Sequence, residues 1–496
     1  MDKYQPNFEL FWALAAVVGA AVLFQLLATY YHNGLNRYPG PLLAKFTRLW
    51  YRLDVKANRH QQHLIELHRK YGDVVRIGPN SLSVSNADEM YDPFAPRVNG
   101  KRLDSSLSVR DPKAHAAMHK PIAKAYSMTT LTDYEPLVDQ MITKLLEQLR
   151  EKNVGENKIC DIGLWMRLYA FDVILQVTLS DTLGFMDKGD DIEDFFKFLD
   201  MNIDRSSLLV TMPWTAYLLK HNPIVSYFSK DSSMFPGWTA LRLQNRLKDR
   251  AENNPTGSRY APRDFLDRFV DAAHTERNPD FDFTQALNWT LTNVVAGGDT
   301  TTIALKAVMY YLLKNPAKKR RLIEDLEAAK LSIPVSWVKS QQIPYLDAVI
   351  KESLRIHPPI GLGLERTASG FEMPDGYILP PGTNVGMNSW VVNRQPVFGE
   401  NVDDFVPERW LRAPTETEDQ HKDRLNNMRR ADLVFGAGAR SCTGKHVSYL
   451  EMHKVIPSFL LTFDMEIVDE KDEWTLVNGW TTRQDNIRCF LRDRGS

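Results

Sequence analysis

Cysteine is scarce in this chain: 496 residues carry three, Cys160, Cys442 and Cys489. They stand far apart, with no CxxC pair and no Cys/His cluster, so the spacing of a zinc site is missing. So sparse a set also excludes a disulfide scaffold and suits a reducing compartment. A charge excess is absent as well. Lys and Arg number 61 against 62 Asp and Glu, for a net charge of -1, and no global field invites nucleic acid or another polyanion. Internal repeats are missing, as is any Gly-rich flavin or nicotinamide fingerprint, so electrons for a redox reaction would have to come from another protein.

Long apolar runs are missing too, except at the start. Residues 10–28 are apolar apart from Gln25. Nineteen residues at about 1.5 Å each reach roughly 28 Å, close to a hydrocarbon core. Asp2, Lys3 and Glu9 precede the run; Arg37, Lys45, Arg48, Arg52, Lys56 and Arg59 follow it, with Asp54 the one acid among them. This asymmetry predicts a single anchor over 10–30, a luminal stretch over 1–9 and the bulk of the chain in the cytosol. A cleaved signal peptide fits less well, because the run is long, lacks a basic leader and has no small-x-small cleavage site.

Tyr38-Pro-Gly-Pro41 closes a stiff break over 31–41. Segments 74–77 and 81–85 around Gly78-Pro79-Asn80 read as a β-hairpin. Helical periodicity then dominates, with long segments near 131–151, 164–181, 284–314 and 316–330. Strand signals return at 377–379 and 384–387, and the charged stretch 411–432 reads as a surface excursion. The expectation is one mainly α domain with small β-sheets over 42–496.

Three motifs carry chemistry. Phe435, Gly438, Arg440, Cys442 and Gly444 stand at the spacing Phe-x-x-Gly-x-Arg-x-Cys-x-Gly. The glycines allow a tight turn, the start of a following helix favours a thiolate, and Arg440 offers a partner to an anionic group. The second motif is Ala296-Gly-Gly-Asp-Thr-Thr301, inside an apolar helix. Two glycines there cost about 1 kcal/mol each against alanine, a break in propensity that points to function. Gly297 and Gly298 would let a bulky group lie against the backbone. Thr300 can bond back to a carbonyl one turn earlier, and Asp299 supplies an ionisable group. The third is Glu352-Ser-Leu-Arg355, whose ends meet on one helix face, with Phe405-Val-Pro-Glu-Arg409-Trp farther on. Glu66-Leu-His-Arg69 repeats the Glu-x-x-Arg spacing and reads as an ordinary surface pair. Asn288-Trp-Thr290 matches a glycosylation sequon but sits inside the predicted central helix on the cytosolic side, an accidental match. Cys160 and Cys489 read as buried structural thiols.

The cysteine motif resembles the haem-binding signature of cytochromes P-450, and the other motifs follow in that family's order along essentially the whole chain. The segments Gly386-Met-Asn-Ser-Trp-Val-Val392 and Lys445-His-Val-Ser-Tyr-Leu-Glu-Met452 look most like fungal microsomal members resembling pisatin demethylase. The resemblance implies the cytochrome P-450 fold, haem b (iron protoporphyrin IX) with Cys442 as the iron ligand, and dioxygen as co-substrate. Electrons would come from NADPH through a separate membrane-bound reductase that docks on Arg429, Arg430, Arg440, Lys445 and His446. Asp299 and Thr300 would be the acid–alcohol pair that manages protons, and Glu352, Arg355 and Arg409 a buried supporting network. Arg440, Arg366 and His119 would hold the haem propionates, although His115 and His119 stand where many members have Trp-x-x-x-Arg. Substrate contacts would come from 96–111, 201–240, 293–297, 360–364 and 479–481. The implied activity is oxidation of a lipophilic small molecule at the endoplasmic reticulum membrane, in secondary-metabolite biosynthesis or detoxification. A haem-thiolate isomerase or dehydratase, which usually lacks the acid–alcohol pair, is the alternative, with a haem-binding sensor or electron carrier behind it.

Overall fold

The computed structural model describes residues 8–85, 97–98, 101–102, 111–155, 157–212, 214–215, 218, 222, 235–253, 263–273, 283–368, 370, 372–373 and 375–495. Most of the expected substrate loop at 96–111 and much of 212–234 therefore lie outside the described residues.

Helices of eight residues or more run in the order α1 (Phe8–Tyr30), α2 (Leu49–Lys56), α3 (His60–Tyr71), α4 (Pro112–His119), α5 (Glu135–Asn153), α6 (Ile162–Leu179), α7 (Phe195–Thr211), α8 (Phe235–Asn253) and α9 (Phe265–Ala273). They continue with α10 (Phe283–Lys314), α11 (Pro316–Ala328), α12 (Pro344–Ile356), α13 (Glu418–Ala431) and α14 (Lys445–Thr462). Their ends follow local chemistry. Asp111 accepts from the amides of Lys113 and Ala114 to start α4, and Pro316 and Pro344 occupy first-turn positions that need no amide donor.

Among the described residues two helices are long and apolar enough to cross a membrane, and burial separates them. No residue of the stretch Phe11–Tyr30 of α1 is buried, whereas 83% of the stretch Ile162–Leu179 is, and it forms the middle of the core. Thus α1 is a candidate membrane span and α6 a core helix, apolar all round because protein surrounds it. Helices α5, α6, α9, α10, α12 and α14 share one apolar core, with Leu145, Phe171, Phe269, Leu305, Leu346 and Phe459 almost completely enclosed. The 32-residue α10 extends about 48 Å and runs through the middle of it.

The sheets are small. The hairpin Val74–Gly78 and Ser81–Val84 forms as expected and joins Asn384–Met387 and Leu364–Thr367 in a four-stranded sheet. Ile159–Asp161, Arg488–Asp493 and Phe463–Ile467 make a three-stranded sheet, with Cys160 directly opposite Cys489. Thr475–Asn478 and Thr482–Asp485 form a hairpin near the C-terminus.

Two local expectations need correction. Residues 377–379 form no strand; Ile378 makes a single bridge to Glu372. The charged excursion at 411–432 is largely helix α13, begun by a capping box in which Thr417 and Gln420 exchange side-chain and backbone hydrogen bonds. Its mostly polar composition hid the period, because Met428 is its one fully buried residue.

Candidate functional site

Cys442 lies in the turn that leads into α14. Gly436 and Gly438 both adopt positive φ, at 67° and 65°, so the two-glycine turn is a backbone requirement. The Cys442 amide donates to the Phe435 carbonyl at 2.7 Å and closes the loop, while the Phe435 ring packs against Tyr449 at 5.3 Å. Of the three cysteines, Cys160 and Cys489 are buried and Cys442 alone has an open side chain. Yet burial is the largest influence on the Cys442 thiol and pushes it up, opposed by the amides of Gly444 and Lys445 and by the Lys445 charge.

Helix α10 passes beside this turn. Thr301 and Ser448 bring their hydroxyls to 3.4 Å, which fixes the middle of α10 against the first turn of α14. Val295, Ala296 and Thr300 keep part of their surface open, whereas Asp299, Thr301 and Thr302 are buried. The Thr300 hydroxyl donates to the Ala296 carbonyl at 2.8 Å, one turn back.

Gly297 and Gly298 serve a different purpose from the one expected. A Cβ on Gly298 would stand 2.7 Å from the Phe171 ring, and one on Gly297 would stand 2.9 Å from Ile174. Both approaching side chains belong to α6, so the glycine pair lets two core helices touch and provides no bed for a ligand.

Asp299 and Thr300 point to different surroundings. Asp299 enters a polar pocket with Arg167, Thr302, Lys306, Arg483, Gln484 and Asp485. Burial pushes its carboxyl up, Arg167 and Arg483 pull it down, Asp200 raises it again, and the net direction is upward. Arg167 forks onto Asp200 at 2.6 and 3.0 Å, and Arg483 reaches Asp204 at 2.7 Å. Among the described residues, Asp299 Oδ2, Arg483 Nη1 and Gln484 Oε1 have no hydrogen-bond partner. No short-range pattern marks Arg167 or Arg483 in the sequence.

The comparisons with known proteins bear on this geometry. The family model described as Cytochrome P450 matches residues 38–488. The chain belongs to the cytochrome P450 family. It is 37% identical to the cytochrome P450 monooxygenase cicH of Emericella nidulans, over 93% of this chain and 94% of that one. A cytochrome P450 monooxygenase of Aspergillus terreus is 36% identical, covering 92% and 96%. The cytochrome P450 monooxygenase vrtE of Penicillium aethiopicum is 31% identical, covering 99% and 96%. This chain is accordingly a haem-thiolate monooxygenase of that family.

The residues present fit a haem. Among the described residues no three His, Cys, Asp or Glu side chains gather as a metal site. Iron held by Cys442 would thus take one protein ligand and need its others from a macrocycle. A bound metal cation also reverses the effect of burial on a coordinating thiol, which then loses its proton. Basic groups lie close by. His119 Nε2 is 3.1 Å from Thr443 Oγ1, and the His115 ring stacks on His119 at 5.7 Å. Burial first and then the Arg440 charge push His115 below the ordinary range, so Arg440 belongs to the same cluster. Arg366 sits on the strand Leu364–Thr367, half-buried, with Nη1 3.4 Å from the Glu365 carbonyl.

Glu352, Arg355 and Arg409 come together in the core. Glu352 accepts from Arg355 Nε and Nη2 at 2.8 Å each and from Arg409 Nε at 2.8 Å. The Val406 amide and Trp410 Nε1 complete its shell at 2.9 Å each. Arg355 spends its remaining donors on the carbonyls of Asn393, Val402 and Asp404, next to the cysteine-loop side of the domain. Burial would raise the Glu352 carboxyl, but the two arginines outweigh it and the net direction is downward. Trp410 was missed in the sequence, although it directly follows Arg409.

Other expected contacts divide. Ile360 and Thr481 bridge, and the Trp480 amide donates to Ser207 of α7 at 2.7 Å, which gathers 360–364, 479–481 and α7. Asn293 is already engaged, accepting from the Tyr126 hydroxyl at 2.8 Å and donating to Thr178 at 2.9 Å. Asn288 and Thr290 of the sequon are buried, as an accidental match requires.

Proposed function

We propose that this protein uses dioxygen and two electrons from NADPH, relayed by a separate membrane-bound reductase, to oxidise a lipophilic small molecule of secondary metabolism or detoxification. The observation that carries the reading is Cys442, the cysteine with an open side chain, held in the glycine turn where Thr301 and Ser448 fasten α10 to α14. A haem bound there would supply the iron centre at which dioxygen is reduced. Cys442 would hold the iron, with Phe435, Gly438 and Gly444 shaping its loop, while Arg440, His119 and Arg366 would hold the carboxylates. Thr300 would place its hydroxyl oxygen on the open face of α10 as an acceptor for water. Its bond to Ala296 O keeps the oxygen lone pairs free to accept from water.

Asp299 would reload that water from the opposite side of the helix turn. Its raised carboxyl can carry a proton, and the partly exposed Asp200 and Asp204 connect its arginines to solvent. Glu352, Arg355 and Arg409 would act as support, without touching substrate. The exposed Arg429, Arg430, Lys445 and His446 offer an acidic reductase a basic face beside the cysteine loop. With α1 in the endoplasmic reticulum membrane, residues 1–9 would be luminal, 31–41 the connection and 42–496 cytosolic.

The test is full-length protein with a fungal reductase in membranes, supplied with NADPH, isotopically labelled dioxygen and a panel of lipophilic compounds. The expected result is label in a product and substrate-dependent NADPH use. Turnover of a substrate without NADPH or dioxygen would favour the isomerase or dehydratase reading.

A further inference from the structure

Two of the three cysteines face each other. Cys160 and Cys489 are directly opposite across the antiparallel pairing of Ile159–Asp161 with Arg488–Asp493, and both side chains are fully buried. Two residues farther on in the same register, the Ile162 amide donates to the Ile487 carbonyl at 3.0 Å. Hydrogen-bonded and non-bonded pairs alternate along an antiparallel ladder, so Cys160 and Cys489 occupy a hydrogen-bonded pair, with Cα atoms about 5.5 Å apart. Their side chains leave the same face of the sheet, and that separation lies within the roughly 4.4–6.8 Å that a disulfide bridges. The thiols already interact. A hydrogen bond with Cys489 is the first influence on the Cys160 thiol and burial the second, and both push it up. The folded pair is therefore kept as thiols, closed to reagents that need a thiolate.

Sheet order decides how the pair is reached. Among the described residues the strand Arg488–Asp493 is central, with Phe463–Ile467 on one side and the three-residue strand Ile159–Asp161 as an edge on the other. Asn157, Lys158, Ile159 and Asp161 around Cys160 are exposed, Ile159 by 49%. A short edge strand opens locally at lower cost than the core it borders. Opening carries Cys160 into water, and closing returns it to its place opposite Cys489.

We propose that Cys160 and Cys489 are a modification site, a thiol pair that hydrogen peroxide converts into a reversible disulfide. Cys160 reacts first, in the opened edge. Its sulfur attacks peroxide, an S–O bond forms, the O–O bond breaks, and the thiol proton leaves with the second oxygen as water. After the edge closes, the Cys489 sulfur displaces the hydroxyl of that sulfenic acid, which takes the Cys489 proton and leaves as a second water. Each sulfur gives up one electron, and the two peroxide oxygens take them. The bond locks the fold at a useful place. Asp161, beside Cys160, accepts from the Leu164 amide at 3.0 Å and starts α6, while Arg488–Asp493 pairs on its other side with the strand that follows α14. The cross-link ties the start of α6 to the end of α14 and closes a loop containing α10, which restricts the unfolded chain and stabilises the folded one. In a reducing compartment such a bond is transient, made under oxidant and removed by dithiol reductants.

The full-length, haem-loaded chain is treated with a low dose of hydrogen peroxide or with diamide, remaining thiols are alkylated under denaturing conditions, and peptides are mapped by mass spectrometry. The expected result is a peptide pair joined through 160 and 489 under both oxidants, absent without oxidant and lost on adding dithiothreitol. In the diamide-treated sample the half-life of the thiolate-type carbon-monoxide spectrum on warming should lengthen several-fold and return with dithiothreitol. With peroxide, Cys489→Ala should accumulate a dimedone-trapped sulfenic acid at 160, whereas Cys160→Ala should leave 489 unmodified. If either variant fails to hold haem, the wild-type map with and without dithiothreitol decides alone. Free thiols at 160 and 489 under both oxidants, or a bond from either to Cys442, overturns the pair. A bond with diamide alone overturns peroxide as the oxidant. Sulfenic acid at 489 overturns the order of attack, and an unchanged half-life overturns the lock.

Discussion

Glu352→Gln preserves the shape of the side chain and removes its charge, so it tests the buried network without opening a cavity. The carboxylate accepts five hydrogen bonds, from Arg355 twice, Arg409, Trp410 and the Val406 amide. An amide in its place turns one acceptor into a donor facing other donors and leaves two guanidinium groups buried without a counter-charge. Breaking a buried ion network in this way costs about 3–5 kcal/mol. Large proteins often unfold irreversibly, so the readable quantity is the rate at which the thiolate-type carbon-monoxide spectrum is lost on warming. A cost of about 3 kcal/mol, falling mostly on the unfolding barrier, shortens that half-life by roughly two orders of magnitude. The chain contains its own control. Glu66 and Arg69 have the same spacing, but Arg69 pairs with Asp403 at 2.5 Å, both about half exposed. Glu66→Gln should therefore change stability by less than about 0.5 kcal/mol. The effect of pH has a definite sign. The folded Glu352 carboxyl lies below its ordinary range, so its stabilisation is present above the unfolded value of about 4.3 and disappears as pH falls through the lower, folded value. Wild type and Glu352→Gln should converge in acid. Equal half-lives for Glu352→Gln and Glu66→Gln at neutral pH would refute the reasoning.

Cys442→Ser should abolish both activity and the thiolate-type carbon-monoxide spectrum; activity retained without that spectrum would remove Cys442 from the iron. Thr300→Ala should keep haem and the spectrum but divert NADPH use to peroxide, measured as a drop in product formed per NADPH consumed, and unchanged coupling would take Thr300 out of proton delivery. Gly298→Ala should destabilise by about 1–3 kcal/mol through its clash with Phe171, read as an earlier loss of the spectrum on warming. Phe171→Leu should recover part of that loss in the double variant, whereas a site for the haem edge at Gly298 would leave the two effects additive.

Information that lies within about ten residues was legible; information carried by tertiary approach was not. The first hairpin, the long central helix and the glycine turn before Cys442 each declare themselves through period, turn residues or positive-φ positions. Even the misread α13 had its Thr417–Gln420 capping box in plain sequence, and what failed was the expectation that a folded helix must show an apolar stripe. The partners of the site are different. Arg167 and Arg483 reach Asp299 from α6 and the C-terminal hairpin, and Trp410 reaches Glu352 from another segment, so no local spacing identifies them.

The glycine pair shows how such ignorance becomes an error. A break in helix propensity proves that something comes close to the backbone; it does not say what. Gly297 and Gly298 stand in the same motif as Asp299 and Thr300, and the motif invites a single explanation for all four residues. The structure divides it around the helix. Gly297 and Gly298 meet Ile174 and Phe171, Asp299 meets arginines in a polar pocket, and Thr300 keeps an open face near the cysteine turn. Successive residues turn by about 100° on a helix, so adjacent letters face different neighbours. Close packing at the glycines then acquires a use in the reaction proposed for the site. It pins α10 to α6, the helix that carries Arg167, and so holds the surroundings of Asp299 in register with Thr300 on the other side.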